Sequence, residues 1–274
     1  ELTHRNKIGQ VAYNLKGIAT VTRQKYLTAS EKGPWANSYD RWRNDNLTNR
    51  YQGVQFGYTS AGRYTSWNDI WSYPGYKERD ILPGDYKYED WNGDGEINGQ
   101  DEHPFAFDQT PWLQFSLNAG LQWKNLDFNM LLQGSALGSM EYKEPLHEIW
   151  GKNGGGALTQ FLDRWHPVDP KADPYDPSTV WTSGHYAYTG RWAKNNSAFN
   201  RVSTAYLRLK SIELGYTFPK LKQIPNASLR IYANAYNLLT FTGVKFVDPE
   251  HPDDDLGRMY PLNKTYTLGV SLSF

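Results

Sequence analysis

The 274-residue chain has no cysteine. That excludes disulfides, zinc thiolates and a thiol nucleophile, and it suits an envelope protein that needs no disulfide chemistry. Charge of one sign is also missing, because 29 Lys and Arg balance 29 Asp and Glu. Nothing therefore points to nucleic acid or to a polybasic membrane patch. No apolar run approaches the ~20 residues of a membrane helix. A polar average still leaves a membrane barrel open, since half of each strand would face a wet lumen. Initiator Met and signal peptide are absent from the start at Glu1-Leu2-Thr3, so we expect a piece of a longer, exported chain. Enzymatic constellations are lacking as well. His147-Glu148 has Gly151 where a zinc helix needs its second His. Ser197 has no nucleophile-elbow context. The glycines at 154–156 follow no strand and precede no P-loop Lys, and Asp253-Asp254-Asp255 reads as a solvated acidic loop.

What the chain does have is two-residue alternation and aromatics, with 20 Tyr and 11 Trp. The aromatics fit sheet packing, interfacial girdles or carbohydrate stacking. Tyr266, Leu268, Val270, Leu272 and Phe274 alternate with Thr, Gly and Ser over 265–274, about the 9–11 residues of a tilted membrane strand. Tyr266 and Phe274 would then sit in the two aromatic girdles. Segments 113–123 and 126–136 alternate on either side of Lys124-Asn125, a tight hairpin signal. Segments 205–218 and 227–241 flank a turn with Pro219 and Pro225. In the first of these the apolar phase slips from Leu207 and Leu209 to Ile212 and Leu214, which predicts a β-bulge near Lys210-Ser211.

Weaker strands are expected at about 9–22 and 51–66, making about seven. Alternating directions then put residues 67–111, 139–202 and 242–262 outside, and 23–50 in a long periplasmic connection. Seven strands cannot close such a barrel. Open edges in lipid would cost several kcal/mol per unpaired backbone group, more in sum than the ~5–15 kcal/mol net stability of a protein. The expected fold is all-β, a sector of a larger antiparallel transmembrane β-barrel with long extracellular loops.

Asp90-Trp91-Asn92-Gly93-Asp94-Gly95-Glu96-Ile97-Asn98-Gly99-Gln100-Asp101 follows the calcium-loop pattern. Oxygens of Asp90, Asn92 and Asp94, the carbonyl of Glu96 and the carboxylate of Asp101 are the candidate ligands, and the expected cofactor is a structural calcium. An Asx-rich turn without metal is the alternative. The long 139–202 segment carries Trp150, Trp165, Trp181, Tyr186 and Trp192 among Gly, His and Arg. Long loops are usually functional, and a pyranose offers an apolar face with a hydroxyl rim. These five are the candidate substrate-binding residues, with packing of the loop on itself or on a partner as the alternative.

Several stretches together resemble the end of SusC/RagA-type TonB-dependent transporters. They are Tyr206-Leu207-Arg208-Leu209-Lys210-Ser211-Ile212-Glu213-Leu214-Gly215-Tyr216-Thr217-Phe218-Pro219, Arg230-Ile231-Tyr232 leading to Asn237-Leu238-Leu239-Thr240-Phe241-Thr242, Asp248-Pro249-Glu250, and Tyr260-Pro261 before the terminal strand. Gly57-Tyr58, Gly62, Trp67, Gly84-Asp85 and the Asp90 loop agree in order and spacing. The resemblance runs from about residue 51 to the end. It implies an outer-membrane barrel of about 22 strands with a plug and a TonB-binding segment that this chain lacks, and a SusD-like surface lipoprotein as lid. It further implies TonB-driven uptake of oligosaccharides or peptides, and Phe274 as the signal for barrel assembly. The rival reading is a secreted, calcium-stabilised β-sandwich that binds or hydrolyses polysaccharide. A barrel adhesin or assembly factor is a third.

Overall fold

The computed structural model describes residues 1–29, 33–35, 37–40, 42, 47–75, 80–147, 149, 157–188, 196–219, 227–251 and 256–273. Alternation becomes seven long strands: β1 (Leu2–Ile8), β2 (Val11–Val21), β3 (Leu113–Trp123), β4 (Leu126–Ala136), β5 (Tyr206–Phe218), β6 (Ser228–Thr242) and β7 (Thr265–Ser273). They form one antiparallel sheet in sequence order, with β1 and β7 at its edges. Lys124, at φ 53°, turns the β3–β4 hairpin with Asn125, and Leu117 pairs with Leu132 across it. The expected bulge is present: the register of β5 shifts between Leu209 and Ser211 against both β4 and β6. One inserted residue brings Leu207, Leu209, Ile212 and Leu214 onto a single face.

Two sequence expectations are corrected. Residues 51–66 are not a strand of this sheet. They hold two short strands, Gln55–Gly57 and Ser60–Arg63, which pair with His103–Ala106 and Tyr86–Tyr88 in the loop layer. The seventh strand is β1 instead. Its face shared with Leu15 and Tyr13 carries His4 and Asn6, so no apolar alternation marks it. The β1–β2 turn at Gly9 and Gln10 is short, which reverses the assignment of the first long connection. The described residues of 22–112, 137–205 and 243–264 all lie at one end of the sheet. The described part of 23–50 is therefore at the long-loop end, not opposite it.

The two faces of the sheet differ in chemistry. One is apolar and uncovered: Leu214 is 54% exposed, Leu239 49% and Phe241 63% although they sit on inner strands. Trp123, Tyr216 and Phe218 cluster on that face at the short-turn end, and Tyr266 lies outward in the row of Met130 and Ile212. Phe274 lies outside the described residues. A sandwich would cover this face with a second sheet, and among the described residues none does. The opposite face carries Gln114, Asn118, Gln133 and a charged bridge. Arg230 on β6 reaches across β5 to Asp127 at 2.5 Å and also meets Glu213 at 2.7 Å. Gly215 permits this crossing, since a Cβ there would lie 2.4 Å from the Arg230 guanidinium.

Above the sheet, the long connections fold on each other. Tyr58, Tyr86, Tyr88, Ile97 and Ala187 form a small core, with Phe199 packed against it. Tyr58 N donates to Asn196 O at 3.0 Å and Ala198 N donates to Tyr58 O at 2.9 Å, tying the first loop to the second.

Candidate functional site

The Asp90 loop is a tight coil entered from the short strand Tyr86–Tyr88 and not from a helix. Asp90 accepts main-chain N–H groups from Gly93, Asp94 and Gly95, at 2.8, 3.2 and 2.9 Å. Asn92 Oδ1 accepts from Asp94 N at 2.9 Å, and Asp94 Oδ1 from Glu96 N at 2.8 Å. The buried Asp101 carboxylate takes Trp91 N on one oxygen at 3.0 Å and Asn98 N on the other at 2.7 Å. The donor set is all oxygen, as a hard cation requires. Among the described residues no three His, Cys, Asp or Glu side chains converge as a metal cage. A cation drawing on Asp101 would have to compete with these N–H donors.

Of the five aromatic candidates, Trp150 and Trp192 lie outside the described residues. Trp165 and Trp181 are brought together. With Trp67, which the sequence reading did not single out as a ligand group, they wall a pocket of about 250 Å³ rimmed by Thr65 and Ser183. Trp165 packs on Gly84, where a Cβ would lie 2.3 Å from the indole. Trp181 is held edge-on by Tyr188 at 5.3 Å. Trp67 enters from the helix Trp67–Ser72, capped by Ser66. Tyr186 stands apart from this pocket, edge-on to Phe161 at 4.5 Å. Burial pushes its phenol up to about 12, so it remains a neutral donor at ordinary pH. A second aromatic array has no signal in the local sequence: Trp91 stacks on His103 at 5.0 Å and on Trp42 at 6.1 Å. Trp91 was hidden by its place inside the calcium-type pattern.

The inward face of the sheet and the 108–111 segment enclose a cavity of about 710 Å³. Gln114, Ser116, Gln133, Ser135, Tyr206 and Glu250 are among its lining residues. The amides and hydroxyls can hydrogen-bond a hydrated solute, and the Asp108 and Glu250 carboxylates add acidic groups to the lining. One wall is secured by Arg208, which is 1% exposed. Its Nη2 donates to both Asp248 oxygens, at 2.8 and 2.7 Å. Glu250 lies 3.5 Å from Arg208 and 2.9 Å from Lys210. Both ends of this clamp are visible as sequence motifs, but 40 positions separate them in the chain.

An antiparallel sheet with a bare apolar outer face, a polar inner face, short turns at one end and long loops at the other is a sector of a transmembrane β-barrel. Comparison with known proteins agrees. The chain is 28% identical over 211 residues to TonB-dependent receptor P3 of Formosa agariphila, covering 71% of this chain and 19% of that protein. It is 27% identical over 239 residues to TonB-dependent receptor P26 of the same organism, covering 82% and 22%. It thus spans about a fifth of the length of these curated relatives. No protein-family model matches the chain. Among solved structures, the RagAB peptide transporter superposes with a TM-score of 0.61 at 18% identity, over 99% of this chain and 28% of that one. The RagAB peptide importer in its closed-closed state gives 0.62 at 16% identity, with the same coverage. The chain is a sector of an outer-membrane β-barrel, with the fold of the RagAB barrel and sequence similarity to TonB-dependent receptors.

Proposed function

We propose that this chain is the C-terminal sector of a TonB-dependent outer-membrane importer, acting in transport and not in catalysis. The observation that carries the reading is the seven-stranded sheet with a bare apolar face and two open edges. Such a sheet is stable in lipid only when further strands complete the ring. The remaining barrel strands and a plug would come from the rest of the protein, through which the partner protein TonB would act. The cargo we propose is an oligosaccharide or a peptide, handled with a SusD-like lipoprotein over the long-loop end. Trp150, Trp165, Trp181, Tyr186 and Trp192 stand as the proposed substrate-contacting aromatics. The pocket shared by Trp165 and Trp181 and the amide-lined cavity support this cargo.

Cells carrying the complete transporter should lose uptake, with the barrel still folded, when TonB is removed. Deleting Phe274 should lower the heat-modifiable, outer-membrane fraction several-fold, and a SusD-like lipoprotein should co-purify with the intact protein. Uptake independent of TonB, or full insertion without Phe274, would sink the reading.

Calcium in the Asp90 loop is part of the proposal, held by Asp90, Asn92, Asp94, the Glu96 carbonyl and Asp101. Its role there is to order the loop. Two treatments separate metal from hydrogen bonding. Asp101→Ala removes a buried hydrogen-bonded carboxylate at about 1.5–3 kcal/mol per bond, and should expose residues 90–101 to protease with or without calcium. Chelation should do so only if a cation is bound, whereas Asp90→Ala with Asp94→Ala also removes main-chain hydrogen bonds and should do so either way. Cleavage unchanged by chelator would leave the loop as an Asx turn alone.

A further inference from the structure

The outward phase of β2 runs Val11, Tyr13, Leu15, Gly17, Ala19, Val21, set by pairing with the apolar outward residues of β3. It does not stop at the end of the strand. Thr22 N still donates to Trp112 O at 2.8 Å, Gln52 N to Gln24 O at 2.9 Å and Tyr26 N to Arg50 O at 2.9 Å. Lys25 forms a bridge with Tyr51. Arg23 and Lys25 therefore occupy the next two outward positions, where the apolar column gives way to cations.

Their height in the membrane follows from geometry. From Val11 to Val21 there are ten steps of ~3.3 Å, and a tilt of ~40° reduces that span to ~25 Å, the height of the apolar band of an outer-membrane barrel. Val21 marks the band's upper edge at the long-loop end, which is the extracellular end in such barrels. Arg23 and Lys25 stand just above it, at headgroup level. Both are exposed. The Arg23 guanidinium lies 4.3 Å from the centre of the Tyr51 ring and 5.2 Å from that of Trp112. Lys25 Nζ is 5.8 Å from the Tyr51 ring. Among the described residues neither cation has a carboxylate partner. Stacking holds the guanidinium by its faces and leaves its N–H edge for a planar or tetrahedral oxyanion. Tyr51 and Trp112 are themselves the amphipathic rings that settle at a membrane interface.

We infer that Arg23, Lys25, Tyr51 and Trp112 form a binding site for the phosphate of an outer-leaflet lipid headgroup. The site would anchor the first long loop to the membrane surface, outside the solute path. Charge-assisted bonds from guanidinium to phosphate are short and strong, and each surface cation adds to attraction for anionic lipid. The inference rests on the membrane reading of the sheet.

The test uses the complete transporter in phosphate-free maltoside micelles doped with diphosphoryl lipid A or with its dephosphorylated form. Lipid retained on the protein is counted by native mass spectrometry. Arg23→Ala with Lys25→Ala should cut retention of the phosphorylated lipid about tenfold. Tyr51→Leu, which keeps both charges but removes the stack, should cut it less, about threefold. Equal retention by wild type and the double variant would overturn the inference. So would equal retention of the dephosphorylated lipid, or displacement of lipid A by millimolar inorganic phosphate, which would mark a soluble-anion site. Heat-modifiable migration of each variant separates these results from failure of the barrel reading, which would abolish that migration in the wild type too.

Discussion

Arg208→Ala is expected to detach the third long loop from the barrel wall, at a cost of roughly 3–5 kcal/mol in local stability. The guanidinium is almost wholly buried on the inner face of β5, while its acidic partners Asp248 and Glu250 are each 16% exposed. Removing the cation leaves two carboxylates close together in a crowded, poorly solvated rim, which is why truncating one partner costs more than the pair contributes. Arg208→Lys should recover only part, because an ammonium cannot reproduce the planar guanidinium fork. Lys210→Ala makes a useful contrast. Its side chain is 31% exposed, and loss of that more open contact to Glu250 should cost at most about 1 kcal/mol. Protease nicking within 243–264 of the folded transporter reports local opening. It should accelerate a hundredfold or more for Arg208→Ala, and only a few-fold for Lys210→Ala. Equal rates for the two variants would refute the clamp.

Gly57→Ala should be the most damaging single-methyl change in the loop layer. A Cβ at this position would fall 1.7 Å from the Asn196 carbonyl oxygen and 2.7 Å from the Phe105 ring. Part of the obstacle is main chain, so no rotamer change relieves it. The strand must move away, breaking the Tyr58–Asn196 and Tyr58–Ala198 hydrogen bonds and pulling Tyr58 from the tyrosine core. Overpacking of this kind costs ~1–3 kcal/mol, and each buried donor or acceptor left unpaired adds ~1–3 kcal/mol. Gly17→Ala is the matched control: it has open space around it and an ordinary φ, and should be neutral within ~0.5 kcal/mol. Hydrogen exchange of the Tyr58 and Ala198 amides is the direct measure. Protection unchanged in Gly57→Ala would show that the two loops do not depend on this contact.

The parts of the fold legible in the sequence were those that a strand's own side chains encode. The β3–β4 hairpin, the bulge beside Lys210 and the alternation of β7 each follow from which neighbours are apolar, because period two is a local property. β1 was not legible. Thr3, His4, Arg5, Asn6 and Lys7 show no alternation, and their strand exists because β2 offers an antiparallel partner through the turn at Gly9 and Gln10. The 51–66 stretch failed the other way. Its apolar and small residues read as a membrane strand, but they pair within the loop layer, where Gly57 allows the close approach of Asn196.

The candidate site divides along the same line. Oxygen ligands at fixed spacing made the Asp90 loop visible, since the pattern is contained in twelve consecutive residues. Trp165 and Trp181 could be nominated by type, but not their meeting with Trp67, which comes from another loop about a hundred residues earlier. The Arg208–Asp248 clamp likewise joins β5 to the loop after β6 across 40 positions. By itself, then, the sequence determined that this chain is β, alternating, membrane-facing on one side and incomplete as a ring. Only the tertiary structure decided which strand is first, which end bears the loops, and which aromatics and charges share a site. Those outcomes depend on pairing and packing between residues far apart in the chain, and local periodicity carries no information about them.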